Sequence, residues 1–476
     1  MPQPDERLVP APYDRLRRQQ SIAGGFHVPS SVTPSKPWAP PSPGRRQLLK
    51  LGLGAGAASL LPLSSVFANT ISTRARIVIL GGGAAGLSMA NRLSRRLSGA
   101  TITVVEPSDL HNYQPGWTLV ASGVWEAERT LKPNAQFLPT GVDWVKGQAA
   151  GINADLRRIT LADSSTLEYD VLVVATGLQL NYQLIDGMSP KLVGSNGIGS
   201  VYASLDAAGR TRKAIDTWLA QGGGQGIFTS PQTAIKCAGA PVKMTFTTLS
   251  RIKAESTRER FDLDYFTGGG GMFSQPWIND FLKQRFDQEN ITRHHLQHLT
   301  AIDAGAKKAE FTSPNGDTEV RDYDFIHVVP PMSAPDFVKD SDLIAQEGAF
   351  KGEWLDTDIH TLQHNRYPEV FGIGDVIGAP INKTAASVKA QAPVVEANIV
   401  AYLQEKPLNA RHNGYTSCPL ITDIGKAMLV EFGYDNNMEF LPSFSFIDPK
   451  EESWSAWVLK DYLLQPAYYA MLEGRV

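Results

Sequence analysis

The stretch RIVILGGGAAGLSMANRLSRRLSGATITVVE, residues 76–106, constrains the fold more than any other. Ile77 to Leu80 form a short, wholly apolar run, as a strand buried on both faces requires. It ends at Gly81-x-Gly83-x-x-Gly86, after which Leu87, Ala90, Leu93 and Leu97 recur at helical spacing. A second strand, Ile102 to Val105, ends at Glu106, about 20 residues past the third glycine. Each part has a physical task. Gly81 permits the tight turn. Gly83 lets backbone N–H groups approach a pyrophosphate at the helix N-terminus, Gly86 allows close helix–strand packing, and Glu106 accepts from a ribose hydroxyl. A glycine triplet by itself is weak evidence, but set in strand–turn–helix–strand with a terminal acid it specifies a dinucleotide site.

Two later stretches indicate FAD as the dinucleotide. YDVLVVATG, 169–177, reads as a buried strand that closes the nucleotide unit, and YPEVFGIGD, 367–375, as one that ends at Asp375. In two-dinucleotide-domain flavoproteins that aspartate meets the ribityl and phosphate region. A helical pattern follows in INKTAASVKAQAPVVEANIV, and its N-terminus would favour a reduced, anionic flavin. The expected fold class is α/β, with two Rossmann-like dinucleotide-binding domains of the flavin disulfide reductase type plus a C-terminal membrane-contacting segment. The flavin domain is split between 74–190 and 331–405, and 191–330 forms the second Rossmann-like domain. There the glycine clusters, 222–226 and 268–271, do not follow a strand as Gly-x-Gly-x-x-Gly with a helix behind. They read as flexible glycine loops, and nothing supports a nicotinamide site.

Residues 1–43 are polar and proline-rich, and are expected to stay disordered. In 44–68, Arg45-Arg46 precede a modest apolar run and a small-residue site ending at Ala68, which resembles a twin-arginine signal peptide. The expected location is periplasmic, peripherally bound to the outer face of the cytoplasmic membrane. A net charge of −3 creates no field that would recruit nucleic acid. RHHLQH, 293–298, reads as a strand edge or helix end, with no metal expected.

The chain has two cysteines, Cys237 in FTSPQTAIKCAGAPVK and Cys418 in GYTSCPL. They are too far apart for a CxxC motif and too few for a disulfide framework. With VEPSDLHNYQPGWTLV, VVPPMSAPDF and NKTAASVKAQ, these motifs make residues 74–475 resemble the sulfide:quinone oxidoreductases, a family of flavin disulfide reductases. The resemblance implies that Cys237 and Cys418 meet beside FAD as a disulfide or a disulfide with one inserted sulfur. Hydrosulfide attacks the bridge, Cys418 ends as the persulfide, and Cys237 becomes the thiolate facing the flavin. Electrons pass to quinone, and an acceptor such as sulfide, sulfite or a thiol removes the sulfur.

Lys236 and Lys243 flank Cys237, and either would stabilise a thiolate. Lys243 and Lys460 also match family lysines. Further cofactor contacts carry over by motif: Ala84 and Ala85 in the glycine loop, Gln114 in NYQP, Ala149 beside the adenine, and Lys383, Thr384, Ala385 and Ala386 at the start of the flavin-facing helix. Because quinone lives in lipid, the tail 406–476 is expected to touch the membrane surface. Trp454, Trp457, Leu464, Tyr468 and Tyr469 would form an interfacial helix pair broken at Pro466. Two other enzymes fit the same chemistry: a sulfide dehydrogenase with a cytochrome acceptor, and an NADH:quinone oxidoreductase. A non-enzymatic flavin-bearing sulfur sensor is the reading from another class. Nothing in the sequence decides for or against a homo-oligomer.

Overall fold

The computed structural model describes residues 70–255, 258–434 and 447–476. The polar leader and the twin-arginine segment therefore lie outside the described residues.

The first sheet forms as its sequence pattern requires. Strand β1 (Arg76–Leu80) is followed by helix α1 (Ala84–Arg96) and strand β2 (Thr101–Val105). Strand β3 (Asp143–Val145) lies at the far edge and β4 (Val171–Val174) on the other side of β1. All pairings are parallel, with Ile77 opposite Ile102 and Val171 opposite Ile77. Every residue of β4 is fully buried, which explains why it carries no alternation. A small antiparallel sheet, Ala149–Asn153, Arg158–Leu161 and Thr166–Glu168, is inserted before β4.

The second sheet is also parallel. Helix α2 (Leu205–Gln221) leads into strand β5 (Gly224–Ser230), then helix α3 (Ala240–Glu255) and strand β6 (Phe261–Thr267). Helix α4 (Pro276–Gln288), strand β7 (Ile291–His295) and strand β8 (Phe325–His327) follow. The spatial order is Ile198–Gly199, β8, β5, β6, β7. The histidine-rich run thus lies partly on an edge strand.

The first glycine cluster is a helix end running into a strand rather than a loop, whereas 268–271 remains a loop. Gly222 ends α2 in the left-handed conformation, and a Cβ on Gly226 would lie 2.4 Å from the Trp218 ring. A Cβ on Gly268 would lie 2.6 Å from the Gln232 backbone nitrogen. Where the first sheet has its glycine turn between strand and helix, the second has residues 231–239, which carry Cys237.

The chain then returns to the first sheet. Strand β9 (Val370–Gly372) pairs with β4, so this sheet is completed by residues almost 200 positions downstream of it. Helix α5 (Ala385–Leu403) packs against α1, and Glu396 receives both Arg92 at 3.0 Å and Arg96 at 3.1 Å. Strands β10 (Thr416–Asp423) and β11 (Lys426–Phe432) form a hairpin lying on α3 and α5.

The C-terminal segment departs from the expected helix pair. Helix α6 (Trp454–Val458) runs through a π-turn, Leu459–Leu463, directly into α7 (Leu464–Leu472), without a break at Pro466. Pro466 cannot donate to the preceding turn, and it lies in the turn that follows directly on the π-turn, where the regular ladder is already interrupted. The aromatics also turn inward: Trp457 and Tyr468 are buried, while Tyr462 and Leu463 are the exposed large side chains of this run. No helix among the described residues is long and apolar enough to cross a membrane.

Candidate active site

Two helix starts and two cysteines define the site. Gly81 adopts φ +101°, and a Cβ there would sit 2.5 Å from the Ala175 carbonyl oxygen. A Cβ on Gly86 would overlap the Gly81 carbonyl at 1.7 Å, so its lack of a side chain seats the helix on the turn itself. At Gly83 a Cβ would meet open space, and no side chain caps the helix. Ala84, Ala85 and Gly86 therefore present N–H groups with no intrahelical acceptor, as a pyrophosphate requires.

Glu106 accepts from Gly82 N at 2.7 Å and Ser108 N at 2.8 Å, one bond to each oxygen. Each oxygen keeps acceptor capacity for a ribose hydroxyl. Ala149 is buried just past the edge strand that follows Glu106, opposite Leu161.

Just past β4, Thr176 Oγ1, and in the loop before α5, Asn382 Nδ2, are buried without partners among the described residues. Asp375 sits in a turn after β9, and burial raises its pKa against the pull of Lys383 and Lys236. Lys383 donates to the Asp375 carbonyl at 2.7 Å and the Ile377 carbonyl at 2.9 Å, and lies 3.6 Å over the Trp354 ring. Burial pushes it down to about 7. Thr384 caps α5 through Ser387 N, and Ala385 and Ala386 form the first turn. These orphaned polar groups and the uncapped start of α1 fit FAD, whose nucleotide half Gly83 to Gly86 and Glu106 would hold and whose flavin half Asp375 to Ala386 would hold.

The two thiols come together from separate elements. Cys237 Sγ and Cys418 Sγ are 3.7 Å apart. Cys237 has φ +79°, strained for a residue with a Cβ, and lies just ahead of α3. Lys243 is in the first turn of α3, and its N–H bonds to the Gly239 carbonyl. Helical side chains lean toward the N-terminus, so Lys243 Nζ reaches Cys237 Sγ at 3.3 Å. A hydrogen bond with Cys418, aided by Lys243, holds the Cys237 thiol well below its ordinary pKa despite burial. The same bond and burial raise Cys418. Burial opposes the Lys243 charge, but the two sulfurs outweigh it and raise this lysine. A Cβ on Gly239 would lie 3.1 Å from Cys418 Sγ, so a glycine there leaves room for the second sulfur.

Lys236 does not join them. It turns to Gln114 Oε1 at 2.9 Å and lies 5.7 Å from the Trp117 ring centroid. Lys460 arrives through the π-turn, buried, donating to the Pro115 carbonyl at 2.7 Å. Burial, then the nearby Lys243 charge, push it down to about 7. Its neighbour Asp461 accepts from Trp125 Nε1 at 2.6 Å, which anchors the turn. The motif reading missed Tyr202, whose hydroxyl is 3.5 Å from the Cys237 carbonyl oxygen, and the His111–Tyr468 hydrogen bond of 2.8 Å. It also missed the buried Thr416, although the two-residue alternation of GYTSC places it on the same strand face as Cys418.

The pyridine nucleotide-disulphide oxidoreductase family model matches residues 75–222. The mitochondrial sulfide:quinone oxidoreductase of Dictyostelium discoideum is 36% identical over 403 residues, covering 84% of this chain and 86% of that one. The mitochondrial sulfide:quinone oxidoreductase of Mus musculus is 32% identical over 424 residues, covering 89% and 91%. In three dimensions, the sulfide:quinone oxidoreductase of Aquifex aeolicus superimposes with a TM-score of 0.70 at 18% identity, covering 84% and 92%.

Proposed function

The chain belongs to the sulfide:quinone oxidoreductase family, and we propose that its chemistry runs through the Cys237–Cys418 pair. It is an FAD-dependent oxidoreductase that oxidises sulfide with quinone as acceptor. FAD, when bound, supplies the two-electron carrier between the sulfur and quinone half-reactions. The observation that carries the reading is a pair of sulfurs 3.7 Å apart with one ammonium 3.3 Å from Cys237.

The residues divide the work as follows. Hydrosulfide attacks Cys418 of the Cys237–Cys418 disulfide. A sulfur–sulfur bond forms to Cys418 as the Cys237–Cys418 bond breaks, and the electron pair leaves on Cys237 as a thiolate. Lys243 and the α3 N-terminus stabilise that charge. At 3.7 Å the two free thiols are already in contact, so a small side-chain movement closes the bond of about 2.05 Å. Sulfide, sulfite or a small thiol then removes the persulfide sulfur from Cys418.

Lys460 is read as a quinone-side group, because the π-turn that buries it also exposes Tyr462 and Leu463, a foothold for a membrane surface. Twin-arginine export and a periplasmic site rest on residues 44–68, whereas the Dictyostelium discoideum and Mus musculus relatives are mitochondrial.

The test is anaerobic addition of sulfide to the holoenzyme, followed by a short-chain quinone. Sulfide bleaches the flavin, quinone restores it, and Cys237→Ser or Cys418→Ser stops the cycle. Wild-type turnover by either variant would remove the cysteines from the mechanism.

A further inference from the structure

Thr416 opens the strand that carries Cys418, and it is fully buried. Its Oγ1 is 2.9 Å from Thr384 Oγ1 and 2.8 Å from Ser387 Oγ, which in turn lies 2.8 Å from the Asn382 carbonyl oxygen. Thr384 already caps α5 through Ser387 N, so the helix does not need Thr416 in order to form. On the Cys237 side, Lys236 bridges Lys383 in parallel register. Both cysteine-bearing segments are thus fastened to residues 382–387, one by backbone and one by hydroxyls.

We propose that Thr416 is a positioning residue: its hydroxyl ties the Cys418 strand to the cap of the flavin-facing helix and holds Cys418 against Cys237. The proposal rests on the reading above that these cysteines are the redox pair. Residues 416 and 418 share a strand face, so a bond at Thr416 fixes the position of the thiol two residues on. Pinning the strand raises the effective concentration of one thiol at the other, and that quantity sets how readily a disulfide closes. The hairpin partner strand still holds Cys418 opposite Val430, so loss of the hydroxyl loosens the pair without separating it.

The experiment equilibrates the holoenzyme anaerobically in a glutathione redox buffer. Cys237 and Cys418 give two protons and two electrons to oxidised glutathione, which becomes two reduced glutathiones. Alkylation and mass spectrometry count the remaining thiols, and the flavin spectrum confirms cofactor retention. Thr416→Val keeps the shape and removes the hydroxyl; its disulfide equilibrium constant falls about tenfold, the scale of one lost buried hydrogen bond. Thr416→Ser keeps the hydroxyl and stays within about twofold of wild type. A wild-type constant in Thr416→Val, or an equal fall in both variants, overturns the proposal. Should Thr416→Val lose FAD, Ser387→Ala removes a partner hydroxyl instead, with a fall in the same direction expected and an unchanged constant overturning it. Failure of the wild-type protein to form the Cys237–Cys418 disulfide would strike at the redox-pair reading rather than at the role of Thr416.

Discussion

Replacing Lys243 with methionine tests the electrostatics of the site most directly. Lys243 is 3% exposed, and its ammonium lies 3.3 Å from Cys237 Sγ. Opposite unit charges at that distance attract by about 5 kcal/mol at an effective dielectric of 20. Burying an ammonium costs several kcal/mol of that, and the α3 N-terminus remains to support the thiolate. The remainder is about 1.4–2.8 kcal/mol, or one to two units in the thiol pKa. Lys243→Met keeps the stem packing and removes the charge. The assay is the pH dependence of iodoacetamide alkylation at Cys237 in the reduced holoenzyme, located by mass spectrometry. The midpoint rises by about one to two units, and flavin reduction by sulfide at pH 7 slows by about 10–100-fold. An unmoved alkylation profile in a variant that retains FAD would refute the assignment of Lys243 as the thiolate's counter-charge.

Acid should destabilise the fold through its buried histidines. Burial pushes His111 and His412 down to about 4 and His327 to about 3. The unfolded chain, with histidines near about 6.5, therefore binds more protons in the window below that value. This stability is present above pH 6.5 and is lost as pH falls, by about 2 kcal/mol per histidine between pH 7 and 5. A holoenzyme Tm that is flat over that range would contradict the burial of these rings. For the membrane reading, Tyr462→Glu combined with Leu463→Glu should weaken sedimentation with quinone-containing vesicles while leaving sulfide bleaching of the flavin intact. Unchanged sedimentation would place the contact elsewhere.

The nucleotide half of the site was legible because its signals are local. Strand, glycine turn, helix and acid occupy one continuous stretch, and the contacts that make Gly81 and Gly86 necessary and seat Glu106 lie within it or at the end of the adjoining strand. The tail was misread for the converse reason. Trp457, Tyr468 and Tyr469 announce an apolar helix, but composition does not say which side faces the protein. One π-turn rotates the helix so that Lys460 and Asp461 enter the interior while Tyr462 and Leu463 face out.

The sequence by itself determined the dinucleotide unit, the identity of the two cysteines and the absence of a second glycine fingerprint, since these depend on short-range spacing and residue type. Only the tertiary structure decided which lysine meets the Cys237 sulfur. Lys236 is the chain neighbour of Cys237 yet points to Gln114, whereas Lys243, six residues away, is carried back to the sulfur by one helical turn. It also decided that Thr416 meets Thr384 and Ser387, because hydroxyls about 30 residues apart become partners only once a hairpin has packed against a helix start.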